Sequence, residues 1–294
     1  MAPPRSESAA DSRTTPVIAN AVSVLRCFSH DDPLLGVTDI AGRVGLHKST
    51  VSRILATLEQ EHLVERDPQS RRYRLGLGLI TLAGPLLADL DERRVAYPVL
   101  QELTEQTGET SALVVWNGSE TVCVEQIPSP QEIRHTIPLG TRYDTALRSS
   151  VQIFLAHQPA ERVRALLLAG TVTHHSAADD AVARYLEALT EVRAAGVAVN
   201  YGKTRVDEVG VAAPVFDHRD ELVAAVIIAA PRYRVTEDQV EQIAATCTAA
   251  ADEVSQRLGH ASHGGWNPCP AGHDPVPRTD RVPRSQSRRG TCSG

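Results

Sequence analysis

The chain of 294 residues is long enough for two domains and carries a formal net charge of −6. Its hydrophobic content of 42% and charged content of 22% are typical of globular proteins. No apolar run approaches the roughly 18 residues of a membrane helix, and the first residues lack the apolar core of a signal peptide. Five scattered cysteines without a CxxC pair indicate reduced thiols in a cytoplasm rather than a disulfide or zinc framework.

Charge is distributed unevenly along the chain. Residues 16–77 carry eight cations against seven anions, residues 78–258 carry 15 against 25, and residues 259–294 carry five against two. A slightly basic head followed by an acidic body suggests two separate functions. Residues 1–15 are rich in Pro, Ser and Ala, and the basic tail 259–294 is rich in Gly, Pro, Ser and Arg. Neither has a periodic apolar pattern, and both are predicted to be disordered.

The head begins with three predicted helices. Apolar residues recur at helical spacing from Ile18 to Phe28 and predict the first helix. Thr38 is the expected N-cap of a short second helix, and Gly45 makes the turn into a third helix at about residues 47–61.

A hairpin follows the third helix. The segment "LVERDPQSRRYRLG" predicts two short strands around a turn, with Val64 and Leu75 facing the core. Four arginines on these strands are expected to stay in water: Arg66, Arg71, Arg72 and Arg74. A helix, a turn, a second helix and then a basic hairpin are typical of a winged helix-turn-helix.

The third helix combines an apolar stripe with a polar face. Burial of Val51, Ile54, Leu55 and Leu58 leaves one set of side chains facing outward: His47, Lys48, Ser49, Thr50, Ser52, Arg53 and Thr57. Lys and Arg can donate to guanine or phosphates in a major groove, and short hydroxyl side chains let the backbone approach. We therefore predict binding to double-stranded DNA, with the hairpin arginines Arg71, Arg72 and Arg74 near the flanking backbone or minor groove. The alternatives are a face that is only solvated and a winged helix that binds protein.

The connection between head and body has an exposed apolar pattern. In "LITLAGPLLADL", Leu82, Leu86 and Leu90 share one side of a helix that needs a partner within the chain or in a second subunit. Pro85 removes a backbone donor, which predicts a kink or a break there. A second helix, "YPVLQELTEQTG", ends at Gly108.

The body alternates strand-like and helix-like segments. "TSALVVWNG" and "TVCVEQI" predict a hairpin, and "EIRHTIPLG" is interpreted as another strand. Three helical segments follow, then the strands "VAVNYGKT", "VGVAAPVFD" and "LVAAVIIAAP", the last apolar on both faces and therefore central. Thr236 is expected to cap a closing helix. The pattern indicates an α+β fold with a sensor-like body.

Six segments in this order resemble the IclR (isocitrate lyase regulator) family of bacterial transcription factors. They are "GLHKSTVSRILATLE", "YRLGLGL", "LTEQTGETSALVVW", "IPLGTRYDTALRSSVQIFLAH", "AAGVAVNYGKT" and "VGVAAPVFDHRDELVAAVIIAAP". The resemblance implies a winged helix at residues 16–77, a linker helix at 78–95 and a GAF-like effector-binding domain at 96–258. It also implies a homodimer or homotetramer on a palindromic operator, with a small metabolite changing the affinity.

The expected effector pocket departs from the family pattern. The usual Gly-Lys pair is Val151-Gln152 here, and positions that usually supply small polar groups hold Gly210, Ile227 and Ala229. The polar candidates that remain are Arg148, Ser149, Ser150, Gln152 and Asp207. We hypothesise a pocket with a larger apolar share, suited to a bulkier or partly apolar ligand. The alternative is that these side chains only pack and that the chain has no effector.

Other candidate sites are weaker. Cys123 with His135 could form a nucleophile and base, but a cysteine within a strand is more often a buried small hydrophobe. The adjacent His174 and His175 near two aspartates could bind a metal, although adjacent histidines in a loop rarely point the same way. We expect no catalytic residue, no metal and no cofactor. The competing class of function is an interaction protein or hydrolase-like enzyme that carries a winged helix without binding an operator.

Overall fold

A computed structural model describes residues 16–29, 31–89, 91–175 and 178–260 of the chain. The disorder predicted for residues 1–15 and for the tail from residue 261 onward concerns segments outside these described residues.

The head contains three helices and a two-stranded antiparallel hairpin. These elements are α1 (Pro16–Leu25), α2 (Val37–Val44), α3 (Lys48–Gln60), β1 (Val64–Arg66) and β2 (Tyr73–Leu75). Val51, Leu55 and Leu58 of α3 are buried in one apolar cluster with Val24 and Ile40. Ile54, the fourth residue of the predicted stripe, is half-buried against the same cluster, so the stripe is confirmed. The winged helix-turn-helix expectation is therefore confirmed.

Two details of the head differ from the sequence expectations. The residue that caps α2 is Gly36 rather than Thr38, because the Asp39 carboxylate accepts a hydrogen bond from the Gly36 N–H at 3.1 Å. Leu75 was expected in the core but is 44% exposed, and Tyr73 is buried instead. The reason is that Leu35 pairs with Tyr73 through two backbone hydrogen bonds and covers that end of the strand.

Two helices, α4 (Gly78–Asp89) and α5 (Asp91–Thr107), connect the head to the body. Helix α4 continues through Pro85, so of the kink or break expected at that residue a break is not formed. The second helix is expected from Tyr97 but begins at Asp91. The boundary expected between the linker and the effector domain, after residue 95, therefore lies inside α5. Leu82 is exposed, whereas Leu90 and the side chain of Leu86 lie outside what the structure describes.

The described part of the body contains one antiparallel sheet in the strand order β5-β4-β3-β8-β7-β6. Its elements in chain order are β3 (Thr110–Trp116), β4 (Thr121–Ile127), β5 (Arg142–Tyr143), α6 (Ser149–Ala156), α7 (Ala160–Leu168), α8 (Asp179–Ala195), β6 (Ala198–Tyr201), β7 (Glu208–Phe216), β8 (Leu222–Pro231) and α9 (Glu237–Arg257). The central place of β8 and the N-cap at Thr236 are confirmed.

The strand expected in "EIRHTIPLG" is not formed. Side chains take the hydrogen bonds that a neighbouring strand would otherwise provide. The Ile137 N–H donates to the Gln126 side chain, and the Thr110 hydroxyl donates to the His135 carbonyl at 2.6 Å. This segment is therefore a loop fastened to β3 and β4.

Alternate residues of β8 contact opposite layers of the body. Val226 and Ile228 belong to the cluster under α5 and α9, whereas Ile227 and Ala229 belong to the cluster that includes Ile153 of α6. Side chains of a strand point to its two faces in turn, so a central strand covered on both faces is apolar throughout. The body is an α/β sandwich of the GAF-like type, with α6 bringing its amino end to the sheet.

Candidate DNA interface and effector pocket

The recognition face belongs to α3. Gly45, at φ +68°, ends α2 in the left-handed conformation that favours glycine, and His47 caps α3 with an extended backbone. The residues predicted to face DNA are exposed, apart from the half-buried Thr50: His47, Lys48, Ser49, Ser52, Arg53 and Thr57. The Thr57 hydroxyl donates to the Arg53 carbonyl at 3.1 Å and is therefore partly occupied by its own helix.

The arginines of the hairpin are not equivalent. Arg74 forms two hydrogen bonds with the Glu65 carboxylate, at 3.1 and 2.8 Å. Arg72 donates to the Leu34 carbonyl at 3.3 Å, and its guanidinium lies 3.9 Å from the Asp39 carboxylate. Both side chains are already engaged with the head.

Three other cations of the predicted DNA face have no such restraint. Within the described residues, no ion-pair partner is found for Lys48, Arg53 or Arg71. All three are exposed. A cation without an intramolecular anion keeps its full charge for phosphate or base contacts, since no ion pair has to be broken first.

The body contains a narrow cavity at the amino end of α6. About 10 Å³ of it is enclosed, close to the space of one water molecule, and the volume is about 280 Å³ when the open solvent at its mouth is included. Its lining residues are Ile137, Tyr143, Arg148, Ser149, Ser150, Asn200, Glu208, Gly210, Ile227 and Ala229. Six of the eight residues predicted for the effector pocket therefore meet here. Gln152 and Asp207 do not: the Gln152 amide donates to the Leu147 carbonyl at 2.9 Å, and the Asp207 side chain is 61% exposed beside Arg205.

Four residues that line the cavity are not among those predicted from the sequence. Asn200 is a buried polar residue in the strand-like segment "VAVNYGKT". A polar side chain that faces inward in such a segment could have indicated a pocket residue. Ile137 and Tyr143 come from the loop and short strand that the sequence did not resolve. Glu208 is 60 positions from its partner Arg148, and sequence gives no signal for that pairing.

An ion pair and an aromatic ring form one wall of the cavity. Arg148 and Glu208 are joined at 2.5 Å, with 19% and 11% of their side chains exposed. The Arg148 guanidinium also lies over the Tyr143 ring, 4.5 Å from its centroid. Burial raises the pKa of Tyr143 above its ordinary value, so this phenol stays neutral at physiological pH.

A glycine on the same face of β7 as Glu208 also shapes the cavity. A Cβ added at Gly210 would lie 3.1 Å from the Ser149 Oγ, which is closer than ordinary contact. Gly210 thus leaves room for the Ser149 hydroxyl at the first turn of α6. Ser150 instead shares a hydrogen bond of 3.3 Å with the Thr121 hydroxyl.

Family comparison covers both parts of the chain. The model described as IclR helix-turn-helix domain matches residues 17–68, and the model described as Bacterial transcriptional regulator IclR C-terminal matches residues 85–256. The second match alone spans more than half of the chain. The chain belongs to the IclR family. This family consists of transcriptional regulators with a helix-turn-helix head and a C-terminal effector domain.

Similar proteins extend over most of the chain. The glycerol operon regulatory protein of Streptomyces griseus is 30% identical over 251 residues, which cover 82% of this chain and 96% of that protein. The HTH-type transcriptional regulator KipR of Bacillus subtilis is 27% identical over 252 residues, which cover 83% of this chain and 97% of that protein.

Solved structures give the same assignment. A domain of an IclR-family regulator is 55% identical, with a TM-score of 0.57, and covers 58% of this chain and 98% of that chain. An IclR homolog from Microbacterium hydrocarbonoxydans, complexed with 4-hydroxybenzoate, has a TM-score of 0.67, and the likeness covers 82% of this chain and 98% of that chain. At 23% identity this second likeness concerns the fold alone.

The rival sites have little chemical support in this IclR-family chain. Burial raises the pKa of Cys123 to about 12, and its thiol donates to the Ile137 carbonyl at 3.1 Å. A thiol with this pKa is not a thiolate at neutral pH, so Cys123 lacks the nucleophilic form. Within the described residues no cluster of three or more possible metal ligands occurs, and no helix there is long and apolar enough to cross a membrane.

Proposed function

We propose that this chain is a ligand-responsive, sequence-specific regulator that binds a palindromic operator as a dimer or tetramer. The observation that carries the proposal is the outer face of α3, where Lys48 and Arg53 are exposed beside short hydroxyl side chains and have no ion-pair partner among the described residues. In a major groove such cations can donate to guanine O6 and N7 or to phosphate oxygens.

The proposed DNA contacts fall into two groups. His47, Lys48, Ser49, Thr50, Ser52, Arg53 and Thr57 form the groove-facing group, and Arg71, Arg72 and Arg74 form the wing group. Arg71 has no ion-pair partner in the part of the chain that the structure describes, whereas Arg72 and Arg74 must first release Asp39 and Glu65. We therefore assign the larger share of wing affinity to Arg71.

A palindromic operator requires two heads. Large apolar side chains stand exposed on α1 and around α4, a distribution that is costly for a monomer in water and is typical of an interface. They are Val17, Ile18 and Val22 on α1 and Leu77, Ile80 and Leu82 around α4. We propose that these surfaces pair between two copies, while residues 16–77, 78–95 and 96–258 act as head, linker and effector domain.

The cavity at the amino end of α6 is the proposed effector site. It combines apolar lining with a few convergent polar groups, the usual composition of a small-molecule pocket. One solved structure of the same fold is complexed with 4-hydroxybenzoate. A metabolite that binds one conformation of the body better than another would change operator affinity by that difference.

The test is footprinting and gel shift on the DNA upstream of the gene that encodes this chain. We expect a protected palindrome, bound less tightly as salt increases. Arg53→Ala should weaken binding by about 1–3 kcal/mol. Arg162→Ala, which removes an exposed arginine from α7, is the matched control and should leave binding unchanged. A folded protein that protects no sequence would overturn the proposal.

A further inference from the structure

The cavity contains a buried serine hydroxyl for which the described residues provide no hydrogen-bond partner. Ser149 is 4% exposed, yet within the described residues its hydroxyl has no hydrogen-bond partner. It lies at the first position of α6, whose first intrahelical bond is donated by the Gln152 N–H to the Arg148 carbonyl. The preceding N–H groups of a helix lack intrahelical acceptors, so hydroxyl and amides together favour an acceptor oxygen.

The charges that line the cavity cancel. Arg148 and Glu208 are the charged lining residues, and each is the other's partner at 2.5 Å. An anionic ligand would meet the Glu208 carboxylate or would have to displace it from Arg148. Displacement leaves a largely buried carboxylate whose remaining cation is the exposed Arg205, 4.0 Å away. A buried pair that loses one partner is strongly unfavourable.

The remaining walls are mostly apolar, and their polar side chains Ser150 and Asn200 already form hydrogen bonds with Thr121 and Thr204. Ile137, Ile227 and Ala229 supply no donor from their side chains, and Gly210 leaves the space into which Ser149 projects. The neutral Tyr143 adds an aromatic face. A ligand that fits these walls has an apolar body.

We propose that the effector of this chain is an uncharged carbonyl compound, such as an ester, lactone, ketone or amide, with an apolar body. Its carbonyl oxygen accepts hydrogen bonds from Ser149 and the amino end of α6, while the Arg148–Glu208 pair stays intact. Glu208 is then the residue that excludes carboxylate ligands. This inference rests on the proposed effector function and specifies its ligand class.

The experiment compares acids with their methyl esters on the full-length protein. Pairs built on benzoate, 4-hydroxybenzoate, phenylacetate and pyruvate keep the body constant and change the charge. Isothermal titration should give each binding ester at least about tenfold tighter affinity than its acid. If any acid binds the unaltered protein more tightly than its ester, or if no ester binds, the proposal is wrong.

Two variants locate the effect. Glu208→Gln should raise acid affinity by about tenfold or more, since Arg148 becomes free to pair with the ligand. Ser149→Ala should weaken ester binding by about fivefold because one donor is lost. Glu187→Gln on the exposed face of α8 is the matched control and should change neither. Unchanged acid affinity in a folded Glu208→Gln protein contradicts the proposal.

Operator binding measured on the same samples separates two failures. If acids but not esters alter operator affinity, the ligand class is wrong while the effector function stands. If the protein binds its operator and no member of either class alters that binding, the effector function itself fails, and the proposed class fails with it.

Discussion

Arg234 and Glu109 form a two-point ion pair that joins the segment after β8 to the start of β3. The Nε and one Nη of Arg234 lie 2.7 and 2.8 Å from the two carboxylate oxygens of Glu109, which is 7% exposed. The same guanidinium donates to the Ile133 carbonyl. Arg234 therefore fastens the loop that carries Ile137 into the cavity wall.

Loss of this arginine should destabilise the body. Arg234→Met leaves a buried carboxylate without a partner, and we expect the free energy of unfolding to fall by about 3 kcal/mol. Urea denaturation measures it. The double variant Arg234→Met with Glu109→Gln should recover part of the loss, because the uncompensated charge is gone. An equal loss in both proteins would show that the charge is not the cause.

Gly76 is required by a close backbone contact. A Cβ there would lie 2.2 Å from the His62 carbonyl oxygen, so Gly76→Ala must displace the wing. We expect a loss of more than about 2 kcal/mol in stability and weakened DNA binding. Gly84→Ala is the control: nothing lies within 4 Å of its Cβ, and a helical alanine should stabilise by about 0.5–1 kcal/mol. Similar behaviour of the two variants would contradict this account.

The wing arginines should differ in the salt dependence of DNA binding. Arg71→Ala is expected to reduce the slope of log K against log salt by about 1, since one phosphate contact is lost. Arg74→Ala should reduce it less, because Glu65 already compensates that charge. Glu65→Gln should therefore tighten binding. Fluorescence anisotropy over a salt series measures all three, and equal slopes for the two arginine variants would count against the assignment.

Stability should fall in mildly acidic solution because of His157. The imidazole is half-buried, with its ring 5.5 Å from the Phe216 ring, and burial lowers its pKa. The nearby charge of Arg193 also lowers the pKa, whereas the hydrogen bond with the Ile153 carbonyl raises it. The folded state thus binds a proton less readily than the unfolded state. The stabilisation that neutral His157 gives to the folded state is complete above the ordinary pKa of about 6.5 and is lost as pH falls below that value.

Denaturation of the unaltered protein between about pH 7 and pH 5 should show this decline. His157→Gln should flatten it, whereas the exposed His47→Gln should not. A profile identical in the unaltered protein and the His157 variant would remove this residue from the explanation.

The apolar surface of α4 should be needed for self-association. Leu82 is 68% exposed, and Leu82→Glu is expected to place a charge in the proposed interface and shift the protein towards monomer. Sedimentation velocity gives the oligomeric state. Thr81→Glu, at an exposed neighbouring position of the same helix, should leave it unchanged. An oligomer that tolerates Leu82→Glu would move the interface elsewhere.

Helical periodicity is enough to predict which face of α3 is buried and which is exposed. Val51, Leu55 and Leu58 are separated by turns of one helix, so their burial determines which side chains point outward. The same local logic predicted β8 as the central strand.

Tertiary contacts explain what the sequence did not reveal. Tyr73 rather than Leu75 is buried because a distant backbone segment at Leu35 pairs with it. The loop at His135 replaces an expected strand because side chains of β3 and β4 satisfy its backbone. The partner of Arg148 is likewise remote in sequence. Each outcome depends on which segments meet in space, and local patterns do not contain that information.

The two faces of the sheet in the body are separated at β8 only by the thickness of one strand. Ile227 touches the cavity, while Val226 and Ile228 beside it lie beneath α5 and α9. If the proposed effector packs against Ile227, it contacts the same backbone whose neighbouring residues Val226 and Ile228 pack under α5 and α9. The proposed effector site and the layer of α5 are therefore separated by a single strand.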